Sequence, residues 1–206
     1  MDSLLDISKT IAAEIFTGKE HPRDVLPDIK KFVIQLGEQL PLDKFDNPAP
    51  GVWIAKSARV AASASISGPC IIDEECEVRH CAYIRGSAII GKGAVVGNST
   101  EIKNSILFDG VQVPHFNYVG DSVLGYKAHF GAGVITANVR SDKANVCDGF
   151  RKLGAIVGDY AEIGCNSVLC PGAVVGRNSI IYPLSRVRGS VPENSIFKSQ
   201  DDIVRR

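Results

Sequence analysis

The residues best able to do chemistry cluster between Pro114 and Asn138, where the chain reads PHFNYVGDSVLGYKAHFGAGVITAN. This stretch holds two of the chain's 4 histidines, His115 and His129, with Tyr118, Tyr126, Asn117 and Asn138. His115 and Tyr118 lie three residues apart. An imidazole titrates near working pH, so His115 is a candidate general base for a reaction in which a nucleophile must lose a proton. The residues alone leave a second reading open, a histidine at a surface or interface. A polar insertion follows, VRSDKANVCDGFRKL, residues 139–153. Its Arg140, Lys143, Arg151 and Lys152 carry the donors that grip phosphates. The alternative is a solvated loop of mixed charge.

These residues must be positioned by a scaffold, and its period is visible. Ile54, Val60, Ile66, Ile72, Val78, Ile84, Ile90, Val96, Ile102 and Phe108 recur at every sixth position. Two residues before successive rungs stand small ones: Ala58, Ala64, Cys70, Cys76, Ala82, Ala88 and Ala94. A period of six is neither helical nor that of an ordinary strand. It is the signal of a hexapeptide solenoid, an all-β parallel β-helix in which three units make one triangular coil. Coils should stack at the inter-strand spacing of about 4.8 Å, with Ile54, Ile72, Ile90 and Phe108 in one interior column. The glycines that follow many rungs (Gly91, Gly97, Gly120, Gly125, Gly131, Gly158, Gly164, Gly176) are expected at corners that need positive φ. Periodicity does not give the handedness.

After Phe108 the pattern slips. The next rungs are Val113, Val119, Leu124, Phe130 and Thr136, and beyond the insertion Val157, Ile163, Leu169, Val175, Ile181 and Val187 restore the period. The broken segment is the chemistry-bearing one, as expected where function overrides local rules.

The remaining chain divides readily. Residues 1–50 read as a helical region. An amphipathic helix over 2–17, capped by Asp2 or Ser3, is followed by a second from near Pro27 to Leu40. Together they would form a small α-helical cap over the first coil. The run Asn47-Pro48-Ala49-Pro50-Gly51 reads as a linker. Residues 51–198 are the solenoid with its insertion, and 199–206 a short tail.

With 23 basic and 23 acidic residues the net charge is zero, which argues against a general binder of nucleic acid or membrane surfaces. No apolar run approaches membrane-spanning length, and no signal-peptide pattern opens the chain. The 6 cysteines lack a disulfide or zinc spacing, and Cys70 and Cys76 fill small-residue slots. A reduced, cytoplasmic setting is expected.

The strings H-x-x-Y-x-G-D at His115–Asp121 and G-A-G-x-x-T-x-N at Gly131–Asn138 resemble the acetyltransferase half of bifunctional glucosamine-1-phosphate acetyltransferase/N-acetylglucosamine-1-phosphate uridyltransferase. FRKLGAIVGDY after the insertion resembles archaeal-type sugar-phosphate nucleotidyltransferases with the same C-terminal domain. The resemblance covers about residues 52–198. It implies a left-handed coil, a homotrimer, and acetyl-CoA as cosubstrate in a groove between subunits, with no metal. It also implies transfer to the amine of an amino sugar or amino-sugar phosphate. By motif position, His115 matches the general base, Tyr118 and Asn138 substrate contacts, and Ala132 a backbone position near the thioester. Cys165 falls where the family often has serine near CoA. His129 replaces a common asparagine, so the acceptor sugar would differ. Lys143, Arg151 and Lys152 would face a phosphate. No G-x-G-T-R-type loop precedes the solenoid, so nucleotidyl transfer is not expected. Two other readings stay open. One is a trimeric module that binds sugar nucleotide or CoA without catalysis. The other is a zinc hydratase like the γ-class carbonic anhydrases, using His80, His115 and His129.

Overall fold

The computed structural model describes residues 3–206. The rungs do face inward: Ile72, Val78, Ile84, Ile90, Val96 and Ile102 are fully or almost fully buried. Parallel ladders stack about eight coils into a solenoid with three faces. One face runs through Val52–Ala55, Cys70–Ile72, Ala88–Ile90, the end of Glu101–Leu107, the end of Tyr118–Leu124, Ala155–Val157, Ala173–Val175 and Ser190–Val191. A second runs from Arg59–Val60 through Gln112–His115 and His129–Phe130 to Ser195–Ser199. The third includes Tyr83–Ile84, the start of Tyr118–Leu124 and Ile135–Thr136.

The slip falls one residue earlier than the sequence suggested. Ile90 pairs with Leu107, not Phe108, so Leu107 takes the interior rung. Phe108 moves into the position that Gly91 and Gly125 hold in adjacent coils and meets Phe16 edge-on at 5.6 Å. Both residues are bulky and apolar, so the pattern could not choose between them.

The rung-following glycines also have a different reason from the one expected. Positive φ falls instead on Glu75, Gly93, Gly110, Lys127 and Tyr160 at one corner, and on Cys81, Ser99, Phe116 and Gly133 at another. Gly97, Gly131 and Gly164 are needed because the adjacent coil passes too close. A Cβ on Gly164 would lie 2.4 Å from the Pro183 nitrogen.

The N-terminal region corrects three expectations. Among the described residues, 3–17 do not form the one helix expected over 2–17. They form short 3-10 turns at Ile7–Lys9 and Ala13–Phe16, the first capped by the Asp6 carboxylate; Asp2 lies outside the described residues. Their backbone is committed to the solenoid instead. The Asp6 N–H donates to Asp159 at 2.8 Å, the Asp159 N–H to the Leu4 carbonyl, and the Asp109 N–H to the Lys9 carbonyl. A continuous helix would spend those groups internally. The single α-helix among the described residues, α1, spans Ile29–Gly37.

Second, this region lies along a flank and not over the end. The first face carries an outward apolar column, Trp53, Ile71, Ile89, Ile106, Val123 and Ile156, in register from coil to coil. From Ile71 onward it is buried, and it shares one core with Leu5, Phe16, Ile29 and Val33. α1 ends on Trp53, whose ring lies 2.4 Å from where a Gly37 Cβ would stand, so only glycine fits there.

Third, residues 47–51 are not a free linker. Phe45–Ala49 pairs antiparallel with Val52–Ala55, and Asp202–Arg205, expected as a tail, pairs antiparallel with Ser195–Ser199. Each of these strands covers an end of a parallel ladder that would otherwise be open. Elsewhere the first coil is less covered, and Val60 is 36% exposed. No helix is long and apolar enough to cross a membrane among the described residues.

One buried carboxyl sets a pH dependence. Asp73 is 8% exposed, and burial pushes its pKa up to about 6. Because the folded value lies above the unfolded one, the native state holds this proton more tightly. Its contribution to stability therefore improves as pH falls from about 6 toward 4. Asp73→Asn is expected to raise Tm at pH 7 and to leave it nearly unchanged near pH 4, as differential scanning fluorimetry would read.

Candidate active site

The corner after Gln112–His115 places the candidate base. Asn117, 2% exposed, locks that turn: its Oδ1 accepts the His115 N–H at 3.1 Å, and its Nδ2 donates to the Gly131 carbonyl at 2.8 Å. The turn is thereby tied to the next coil. The His115 imidazole is exposed, and its ring makes no hydrogen bond among the described residues. It is open to an incoming ligand.

Backbone bonds then align one column up this corner. The Gly133 N–H donates to the His115 carbonyl at 3.0 Å, and the Asn166 N–H to the Ala132 carbonyl at 2.8 Å. His115, Ala132 and Cys165 therefore occupy successive coils of one corner, about 5 Å apart each. Cys165 is exposed, and its sulfur packs against Gly131.

Tyr118 and Asn138 are brought together on the adjoining face. The Asn138 Nδ2 donates to the Tyr118 hydroxyl at 3.2 Å and to Asp121 Oδ2. Burial holds the Tyr118 phenol above its ordinary range, an effect that the Asn138 hydrogen bond partly offsets. The hydroxyl thus keeps its proton and can donate it outward. Asp121, 4% exposed, is the hub. It also accepts from Asn104 Nδ2 at 2.8 Å and pairs with Lys103 at 3.2 Å. None of Asp121, Lys103 and Asn104 was singled out from the sequence, although Asp121 closes the quoted H-x-x-Y-x-G-D string; Asn117 was named there without the locking role it has here. Asp121→Ala is expected to cost about 3 kcal/mol by leaving Lys103 and two amides without their acceptor. It should also free Asn138 and Tyr118. Urea unfolding checks the first effect and ligand affinity the second.

The other predicted contacts do not join this group. His129 points from the second face into a different groove of about 480 Å³, shared with Lys127, Tyr160 and Glu162, and its Nδ1 lies 2.8 Å from Glu162. It pairs with Gln112, three residues before His115, which puts about 10 Å of strand between the two histidines. The insertion is pinched at its base by the Leu153 N–H donating to the Asn138 carbonyl at 3.0 Å. Lys143, Arg151 and Lys152 are exposed on it, with the Arg151 guanidinium turned back to the Lys143 carbonyl. None of the three lines the groove of about 490 Å³ beneath the loop; Arg140, Arg186 and Arg188 do. His80 stands on the His115 corner two coils away, and no group of three or more metal-ligating side chains occurs among the described residues.

Residues 154–189 match the model for the bacterial transferase hexapeptide (six repeats). The chain carries hexapeptide transferase repeats. Residues 66–159 match the GMPPB C-terminal domain. Among curated relatives, the bifunctional protein GlmU of Methanococcus maripaludis is 37% identical over 112 residues, 50% of this chain and 27% of the relative. A bifunctional sugar-1-phosphate nucleotidylyltransferase/acetyltransferase of Sulfurisphaera tokodaii is 39% identical over 107 residues, 48% of this chain and 27% of the relative. The hexapeptide chain thus spans about a quarter of these relatives' length. Among solved structures, a hexapeptide transferase family protein from Anaplasma phagocytophilum aligns with TM-score 0.44 at 16% identity, over 75% of this chain and 80% of that one. A mutant perosamine N-acetyltransferase from Caulobacter crescentus, bound to CoA and GDP-perosamine, aligns with TM-score 0.39 at 20% identity, over 70% and 51%.

Proposed function

We propose that this chain is an acetyl-CoA-dependent N-acetyltransferase acting on an amino sugar or amino-sugar phosphate. The observation that carries the reading is the single corner on which His115, Ala132 and Cys165 stack, beside the hydrogen-bonded pair Tyr118–Asn138. An ammonium cannot attack a thioester. As the amine's C–N bond forms, the exposed His115 imidazole takes its proton. The Ala132 N–H faces the developing oxyanion. CoA leaves as a thiolate and recovers a proton, so no acyl-enzyme is needed. Tyr118 and Asn138 hold the acceptor's hydroxyls. In this reading a left-handed homotrimer completes the groove, and Cys165 borders the pantetheine arm.

The test is thiol release from acetyl-CoA against a panel of amino sugars and their 1-phosphates, with sedimentation equilibrium for the trimer. Turnover with one acceptor supports the reading and names the substrate. CoA binding with no turnover on any acceptor would leave a non-catalytic binding module.

A further inference from the structure

A second group of reactive side chains lies on the same corner, two coils from His115, outside the proposed acetyl-transfer chemistry. The Cys81 sulfur is 3.2 Å from His80 Nε2, and His80 Nδ1 is 2.6 Å from Ser63 Oγ. Ser63 Oγ also accepts the Cys81 N–H at 3.3 Å. The hydroxyl has a second lone pair to accept a proton held on Nδ1, and in that tautomer Nε2 presents its own lone pair to the thiol. The His80 carbonyl is held in turn by Asn98 Nδ2 at 3.1 Å. A nucleophile, a base within hydrogen-bond reach and a third group orienting the base are the parts of an activated thiol. Cys81 is exposed, unlike the buried Cys70 and Cys76, whose thiols burial pushes up to about 12.

A groove of about 450 Å³ opens beside the group, lined by Arg59, Val60, Glu77, Arg79 and His80. Both guanidiniums share the single Glu77 carboxylate, at 3.8 and 3.2 Å, which leaves one positive charge in excess.

We propose that Cys81 is a thiol-modification site that reacts with small anionic disulfides, with His80 as its base and Ser63 as the positioning residue. His80 Nε2 takes the thiol proton. The thiolate attacks one sulfur of R–S–S–R, the Cys81–S–S–R bond forms, and the original S–S bond breaks. The leaving R–S⁻ takes the proton back from the imidazolium. One disulfide is consumed, Cys81 is oxidised to the mixed disulfide, and one thiol is released. The bound anionic group sits against Arg59 and Arg79.

The experiment treats the full chain with 5,5′-dithiobis(2-nitrobenzoate) and follows each cysteine by peptide mass mapping. Cys81 is expected to react about tenfold or more faster than Cys165, the other exposed thiol, at neutral pH. Ser63→Ala, which removes the partner that orients the ring, should shrink the advantage while Cys165 keeps its rate. His80→Asn should erase the advantage while Cys165 keeps its rate. Equal rates for the two cysteines, or an advantage that survives His80→Asn, would each overturn the proposal. Should that variant expose Cys70 and Cys76 by unfolding, Ser63→Ala decides, and an advantage undiminished there would overturn the proposal.

Discussion

On the proposed mechanism, His115→Ala is expected to lower kcat for acetyl transfer by about 10²–10⁴-fold, the usual worth of a general base. The fold should not register the change. The ring is exposed and bonds to nothing in its own chain among the described residues, so the unfolding free energy should move by no more than about 0.5 kcal/mol. The affinity for acetyl-CoA should also hold, because in the proposed mechanism the imidazole acts on the amine and not on the cofactor. Steady-state kinetics beside a urea melt separates these effects. Turnover that survives His115→Ala would remove the residue from its proposed role. His129 could not simply replace it, since its groove opens from the second face about 10 Å along the strand.

Gly97→Ala should be the most damaging single methyl group in the chain. The added Cβ would stand 1.6 Å from the Pro114 carbonyl oxygen and 2.0 Å from its carbon. Both are backbone atoms of the next coil, pinned between parallel ladders, so no rotamer change relieves the clash. The expected cost is about 3 kcal/mol or more, read as a shift in the urea midpoint. Pro114 directly precedes His115, so whatever movement accommodates the methyl also shifts the base. Below its melting point the variant should therefore lose turnover as well. Gly93→Ala is the control. Nothing lies within 4 Å of its Cβ, and only its φ of +66° opposes the change, at about 1 kcal/mol.

The contrast between these glycines shows what the sequence could and could not convey. A six-residue period reports which side chains face inward, because inward positions must be filled identically in every coil. It does not report how close neighbouring backbones pass, so a glycine needed for approach looks the same as one needed for a turn. The choice of Leu107 over Phe108 escaped for a similar reason, since hydrophobicity sets no register between two adjacent bulky residues. The column Trp53, Ile71, Ile89, Ile106, Val123, Ile156 was readable: on one face in three, the outward neighbour of the rung is also apolar. That excess requires a covering layer along the flank, which a cap over the first coil does not supply. In the site, the shared corner of His115, Ala132 and Cys165 follows from coil arithmetic. The Asn138–Asp121–Lys103 network does not. It depends on the insertion closing at Leu153, a contact with no periodic signature.

The flank-lying N-terminal layer makes the Pro-rich run near residue 50 a false seam for anyone cutting the solenoid free. A fragment beginning at Gly51 would put the whole stripe from Trp53 to Ile156 into water. It would also strip Phe45–Ala49 from the ladder, leaving Val52–Ala55 as a bare template for another chain. Such a fragment would be recovered as aggregate. Residues 3–44 sheathe that stripe, and expression trials should keep rod and sheath together.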